Sequence, residues 1–263
     1  MNDRDPAALL RFAHELIDQT DTILLRHFTG EIAATEKADA SLVTAADTEV
    51  ESLLRARLSD AFPGHGLVGE EYGTEPGAGD ARWIIDPLDA THNFVRGIPV
   101  FATLLALERD GELVLGIVSA PAMHQRWSGA AGKGALVRVD GRELAIRVSS
   151  VAMLSEAQLC FSSLRLLDEV RLVDGWRAAV RSSWRDRGFG DFWGHMLVAQ
   201  GSAEAMLEHG VSVWDLAAPA AILRQAGGRM TDLSGRPSWT GPGVLTSNGL
   251  LHDALLAVLS GRS

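Results

Sequence analysis

The chain has 263 residues, a formal net charge of −10 at pH 7 and 46% hydrophobic residues. That length suits one large domain or two joined lobes, with enough apolar material for a packed core. The acidic balance argues against nucleic acid or an anionic membrane as partner, so an anionic ligand calls for a metal or helix N-termini to receive it.

The first residues, MNDRDPAALL, lack the basic start and apolar core of a signal peptide. No run approaches the roughly 20 apolar residues that span a bilayer. Leu9, Leu10, Phe12, Leu16, Ile17, Ile23, Leu24 and Phe28 recur at helical spacing and predict a helix over 6–28. Thr44 and Asp47 make a capping-box-like start for a second helix that runs to about Leu58. Leu67-Val68 is a short strand leading into Gly69-Glu70-Glu71, and 73–79 is a turn-rich, mobile loop. Beyond residue 94 a meander is expected. Phe101–Leu107 and Leu113–Val118 flank the hairpin signal Asp110-Gly111, and 125–130, 135–139 and 144–148 follow. These strands suit one sizeable, mainly antiparallel sheet.

Residues 165–181 read as a helix, Phe192–Gln200 as a short one, and Ala203–Leu207 as a strand. Leu216–Ala226 is a helix closed by Gly227-Gly228; strands near 229–233 and 244–246 and a helix over 250–259 complete the chain. Cys160 is the only cysteine, so no intrachain disulfide forms and a reducing, cytoplasmic setting is the simplest one. With no Cys or His motif around it, it reads as a small buried apolar residue. The pattern implies an α+β protein of layered helices and sheets. An α+β lobe over 1–150 and an α/β lobe over 151–263 would form one catalytic unit.

The chemistry concentrates in WIIDPLDATHNF, residues 83–94. An apolar strand ends at Asp86, Pro87 stiffens the turn, and Asp89 follows three residues on. Two carboxylates so close repel unless a cation lies between them, and Mg²⁺ takes such oxygen ligands, with the Leu88 carbonyl as another. Ala90-Thr91-His92-Asn93 begins a short helix whose free N–H groups would receive a phosphate. The plainer alternative makes Asp86 a turn residue and Asp89 an N-cap. Glu70 sits at a second strand end, with Glu71 beside it as a solvated acid. Asp215 heads the helix after Ser212-Val213-Trp214, where a simple N-cap is the commoner role. Four acids at element ends fit an oxygen cage for metals better than coincidence.

Gly69-Glu70-Glu71, Asp86-Pro87-Leu88-Asp89-Ala90-Thr91-His92-Asn93-Phe94, and Trp214-Asp215-Leu216-Ala217-Ala218 with Ala226-Gly227-Gly228 together resemble the signatures of the inositol monophosphatase family. The resemblance implies a layered α-β-α-β-α sandwich and a Mg²⁺-dependent phosphomonoesterase with two to three ions per site. Glu70, Asp86 and the Leu88 carbonyl would hold one ion, and Asp86, Asp89 and Asp215 a second. Thr91 would orient the attacking water, with Glu70 or Asp47 relaying its proton; Asp47 can also serve its capping box. Lys37 lies where relatives carry a lysine near the metals, though a surface lysine fits the spacing equally. Ala90 replaces the family's usual glycine, which implies either crowding of the phosphate or a helical rather than positive φ. His92 departs too and reads as solvent-facing.

Residues 93–100 and 187–196 are similar to the bacterial histidinol-phosphate phosphatases of that family. Asp191 and Glu208 then fall toward the far end of the substrate, where two acids suit an ammonium group. The alternative pairs Asp191 with Arg187, itself a candidate substrate contact. Trp193 and His195 read as packing residues. Histidinol phosphate is the expected substrate, an inositol or other polyol phosphate the runner-up, and a binding or regulatory protein on the same fold the non-enzymatic alternative. A homodimer follows from the resemblance alone.

Overall fold

The computed structural model describes residues 5–30, 32–37 and 42–261. Residues 1–4, on which the signal-peptide reading partly rests, lie outside them. Helix α1 spans Pro6–Phe28, with the Asp5 carboxylate accepting the Ala7 N–H at 3.0 Å. Strands β1 (Ala34–Glu36) and β2 (Leu42–Thr44) form a small antiparallel pair ahead of α2 (Ala45–Ala61). Then come β3 (Gly66–Gly69), β4 (Gly73–Glu75), β5 (Ala81–Asp89) and the short α3 (Thr91–Val95). The meander is β6 (Ala102–Arg109), β7 (Glu112–Ala120), β8 (Gln125–Ala130), β9 (Gly134–Val139) and β10 (Arg142–Ile146). It turns at Asp110-Gly111 and at Asp140-Gly141, all four residues at positive φ.

The remaining elements are β11 (Gln158–Phe161), α4 (Leu164–Glu169), α5 (Val173–Ser182), β12 (Arg185–Arg187), α6 (Asp191–Ala199), β13 (Ala205–His209), α7 (Val213–Gln225), β14 (Arg229–Asp232), β15 (Gly243–Ser247) and α8 (His252–Leu259). One sheet has eight strands in the order β10-β9-β8-β7-β6-β5-β3-β4, antiparallel except at β3–β5. The other has five, β12-β11-β13-β15-β14.

Apolar side chains divide into three cores. Leu16, Val50, Trp83 and Leu105 pack α1 and α2 on one face of the large sheet. Ala106, Trp127, Phe192, Met206 and Ile222 fill the space between the two sheets, where α6 and α7 lie. Leu159, Trp176, Leu207 and Leu255 join the small sheet to α5 and α8. The order of layers is therefore α-β-α-β-α, as expected.

Three local expectations need correction. The 73–79 segment is not all loop, because Gly73–Glu75 pairs antiparallel with β3. The helix expected over 165–181 is two helices, broken where Arg171 takes φ 60. Strand β5 does not stop at Asp86 but continues to Asp89.

Helix α7 can lie close to the large sheet because small residues clear a path for it. Ala106, Gly116, Gly129 and Ala135 stand in register across four neighbouring strands. A Cβ on Gly116 would meet the Ala218 carbonyl oxygen at 2.5 Å, and one on Gly129 would meet Ile222 Cα at 3.1 Å. Ala217, Ala218 and Ala221 answer with small side chains of their own. Gly116→Val should therefore overpack this contact, lower stability by about 2 kcal/mol in chemical denaturation and displace the helix that carries Asp215. Wild-type stability in that variant would contradict the packing described.

Candidate active site

The site is built on an irregularity in β5. Asp86 pairs with Leu104 and Asp89 with Ala102, so Pro87 and Leu88 together face the single residue Thr103. This is a β-bulge, favoured because proline has no N–H for the ladder. The Thr103 hydroxyl donates to the Pro87 carbonyl at 3.0 Å, and the Leu88 N–H donates to Asp86 Oδ1 at 3.0 Å. In a regular strand, residues three apart point to opposite faces. The extra residue cancels that alternation and lets both carboxylates reach one mouth. Helix α7 brings the third acid. Ser212 donates its N–H to Asp215 Oδ2 at 2.5 Å, a capping contact that fixes the carboxylate at the helix start.

Asp86, Asp89 and Asp215 thus offer oxygens that all lie within 4.8 Å of one another. Burial pushes Asp86 and Asp89 well above the usual carboxylate range. Glu70, Asp89 and Asp215 add to the shift at Asp86, and Asp191 and Asp215 to that at Asp89. Burial pushes Asp215 up to about 7, against the Ser212 N–H bond that lowers it. Asp86 Oδ2 is buried without a hydrogen-bond donor. Converging, desolvated, under-donated carboxylate oxygens fit a hard divalent cation.

Glu70 stands near enough to raise Asp86 and Asp215, yet it lies outside the tight group. Its carboxylate pairs with Lys37 Nζ at 2.9 Å, and the same ammonium holds Glu71 at 2.6 Å. Burial would lower Lys37, but the Glu71 and Glu70 hydrogen bonds outweigh it and raise the ammonium pKa. Lys37 is therefore a neighbour of the acids. Glu71 is not a solvated surface acid, since its side chain is 8% exposed. A buried pair that the sequence reading did not single out sets this turn. Glu51 accepts the Glu71 N–H at 2.8 Å and Arg55 Nε at 2.8 Å. A Cβ at Gly69 would strike the Glu51 carboxylate, so any larger residue there would displace the Glu51–Arg55 pair. The four-residue spacing of Glu51 and Arg55 on a helix was the available signal.

Asp47 serves its capping box, accepting the Thr44 N–H at 2.7 Å, and also faces the site through Thr91, whose hydroxyl lies 3.4 Å away. Burial pushes it up to about 6, against the Thr44 hydrogen bonds. The Thr91 hydroxyl donates more closely to the Leu88 carbonyl, at 2.8 Å. Ala90 takes φ 63, so the helical φ allowed for it does not occur, and an alanine occupies a position that favours glycine. The amides of Thr91 and His92 precede the first intrahelical bonds. His92 is exposed, and Cys160 is buried with its thiol pushed up to about 12 by that burial.

The far-end residues divide. Asp191, at the start of α6, has its carboxyl pushed up to about 7 by burial and by Glu208. It makes no ion pair with Arg187. That arginine is exposed and donates to the Asp186 carbonyl at 2.6 Å. Both oxygens of Glu208 are engaged within the protein, Oε2 with His195 Nε2 at 2.7 Å and Oε1 with the Asp191 N–H at 3.1 Å. Trp193 packs on Phe189 as expected, whereas His195 is a polar partner rather than a packing residue.

A model of the inositol monophosphatase family matches residues 5–262. The chain belongs to the inositol monophosphatase family. It is similar to the histidinol-phosphatase of Streptomyces coelicolor, 42% identical over 96% of this chain and 97% of that protein. The histidinol-phosphatase of Mycobacterium tuberculosis is 43% identical over 95% of this chain and 97% of its own length. Among solved structures, the extragenic suppressor protein suhB from Bartonella henselae superposes with a TM-score of 0.88 at 27% identity, over 96% of this chain and 98% of that one. The protein is accordingly a phosphatase, a phosphoric monoester hydrolase, on the fold of a metal-dependent family. Among the described residues, no helix is long and apolar enough to cross a membrane.

Folding raises these carboxyl pKa values above their unfolded ones, so their own contribution to the metal-free fold is fully present only below about pH 4. That contribution is lost progressively as pH rises to about 7, where Asp215 and Asp191 ionise in the folded chain. The melting temperature of EDTA-treated protein should fall between about pH 4.5 and 7.5 and level off above that, and millimolar Mg²⁺ should reverse the fall at the upper end. A melting temperature that ignores both pH and Mg²⁺ would contradict the cation reading.

Proposed function

We propose that the protein hydrolyses histidinol phosphate to histidinol and phosphate, with Mg²⁺ as its cofactor. The observation that carries the substrate is Asp191, an acid beside the carboxylate cluster that no cation pairs with among the described residues. An ammonium-bearing alcohol gains from that charge, and a neutral polyol gains less. The names of the relatives at 42% and 43% identity support the same choice. An inositol phosphatase is the reading to beat within the family.

In this proposal Asp86, Asp89, Asp215, Glu70 and the Leu88 carbonyl hold two to three ions. Bound there, Mg²⁺ lowers the pKa of a water molecule and offsets phosphate charge. The chain's own groups do the rest. Lys37 holds Glu70 in place, and Asp47 fixes Thr91, whose hydroxyl orients the attacking water. Asp47 or Glu70 accepts the proton. The Thr91 and His92 amides receive phosphate oxygens beside Ala90, with little covalent work left to the protein. Arg187, exposed on its edge strand, is kept as a contact for the substrate's outer end. Residues 1–150 and 151–263 act as two lobes of one catalytic unit. We place the enzyme in the cytoplasm, as a homodimer in histidine biosynthesis.

Phosphate release from histidinol phosphate and inositol 1-phosphate, each with Mg²⁺ and with EDTA, tests this. Strong metal-dependent preference for histidinol phosphate is expected, and Asp86→Asn should lower turnover about a thousandfold or more. A preference for inositol 1-phosphate would overturn the substrate, and full activity in Asp86→Asn would overturn the mechanism.

A further inference from the structure

The backbone at Asp191 is held by residues well behind the site. Asp191 takes φ 55, a left-handed conformation that a non-glycine residue keeps only when its surroundings enforce it. Two bonds fix the turn from opposite sides. The Asp191 N–H donates to Glu208 Oε1 at 3.1 Å, and the next amide, of Phe192, donates to Asp89 Oδ2 at 2.7 Å. Glu208 is 3% exposed, so its carboxylate needs a partner of its own. His195, fully buried one helical turn beyond Asp191, supplies it through Nε2 at 2.7 Å. A carboxylate only accepts, so Nε2 carries the proton. In the neutral ring Nδ1 then accepts from the Thr246 hydroxyl, 2.9 Å away.

We propose that Thr246, His195 and Glu208 form a buried positioning chain that holds the Asp191 carboxylate for a cationic substrate; the inference rests on the role given to Asp191 above. Three elements contribute, α6, β13 and β15. A buried polar network is costly unless fully satisfied, and here each member meets the next. The packing leaves no slack around it. A Cβ on Gly190 would meet Ser162 Cα at 2.9 Å, and one on Gly194 would strike the Phe189 carbonyl. The turn is thus packed closely against its neighbours, and the Asp191 N–H is directed at Glu208. His195 is a positioning residue, acting on substrate choice through Glu208 and Asp191.

The test uses the Mg²⁺-loaded enzyme with two phosphate esters, histidinol phosphate and glycerol 2-phosphate, which carries no cation. His195→Leu should lower kcat/KM for histidinol phosphate about tenfold more than for glycerol 2-phosphate, mainly through KM. His195→Gln, which keeps an N–H for Glu208, should recover most of that selectivity. In an Asp191→Asn background, His195→Leu should cost little further selectivity. Equal losses on both esters, failure of rescue by glutamine, or additive effects of the two substitutions would each overturn the chain. Asp191→Asn with undiminished preference for histidinol phosphate would instead overturn the reading beneath it. Should His195→Leu not fold, Thr246→Val and His195→Gln test the same link, with a smaller selectivity loss than tenfold expected for the valine and only a slight one for the glutamine.

Discussion

Three carboxylates held together, Asp86 buried and Asp89 and Asp215 half-buried, repel one another, and much of this molecule exists to hold them there. Each spends one oxygen on a backbone amide. Asp86 takes the Leu88 N–H, Asp89 the Phe192 N–H and Asp215 the Ser212 N–H. Three neutral donors do not balance three crowded charges, and partial desolvation together with the neighbouring acids raises the pKa values of all three. A divalent cation would resolve the conflict with the geometry already in place. Preorganisation of this kind is what a phosphoryl-transfer site requires, since its work is positioning and charge neutralisation.

The layers explain how acids distant in sequence reach one point. The large sheet supplies Asp86 and Asp89 through a bulge, and α7 supplies Asp215 because a glycine and alanine track lets it approach that sheet. Helix α6 lies in the same middle layer, and its first turn ties Asp89 to the smaller sheet through Asp191 and Glu208. The middle layer thus joins phosphate chemistry to the residues that would meet the leaving alcohol. A shift in any of α6, α7 or β5 would be felt at the same carboxylates.

Much of this was legible in the sequence, because strong periodicity and punctuation marked it. The helix over 6–28, the capping box at Thr44 and the Asp110-Gly111 hairpin rest on local rules, and local rules suffice there. The acids were legible as element ends. What escaped was set by contacts between distant segments. The bulge needs Thr103 opposite Pro87, which no local pattern states. Strands β1, β2, β11 and β12 are only three or four residues long and take their form from their partners. The break between α4 and α5 turns on a left-handed arginine, a residue that gives no warning of it. Glu71 reads as solvated from its sequence neighbours, but Lys37 lies across it, and His195 reads as packing although Glu208 lies behind it. Ala90 shows the converse, where a departure from the family pattern altered the side chain and kept the positive φ.

The central claim is that the carboxylate cluster binds a divalent cation by giving up protons that burial forces on it. Titration calorimetry of Mg²⁺ into metal-free protein near pH 7, repeated in buffers of different ionisation enthalpy, measures both events together. The account predicts saturable binding whose heat varies with the buffer, reporting proton release, and loss of that binding in Asp86→Asn. Binding with no buffer dependence, or binding that Asp86→Asn leaves intact, would contradict it.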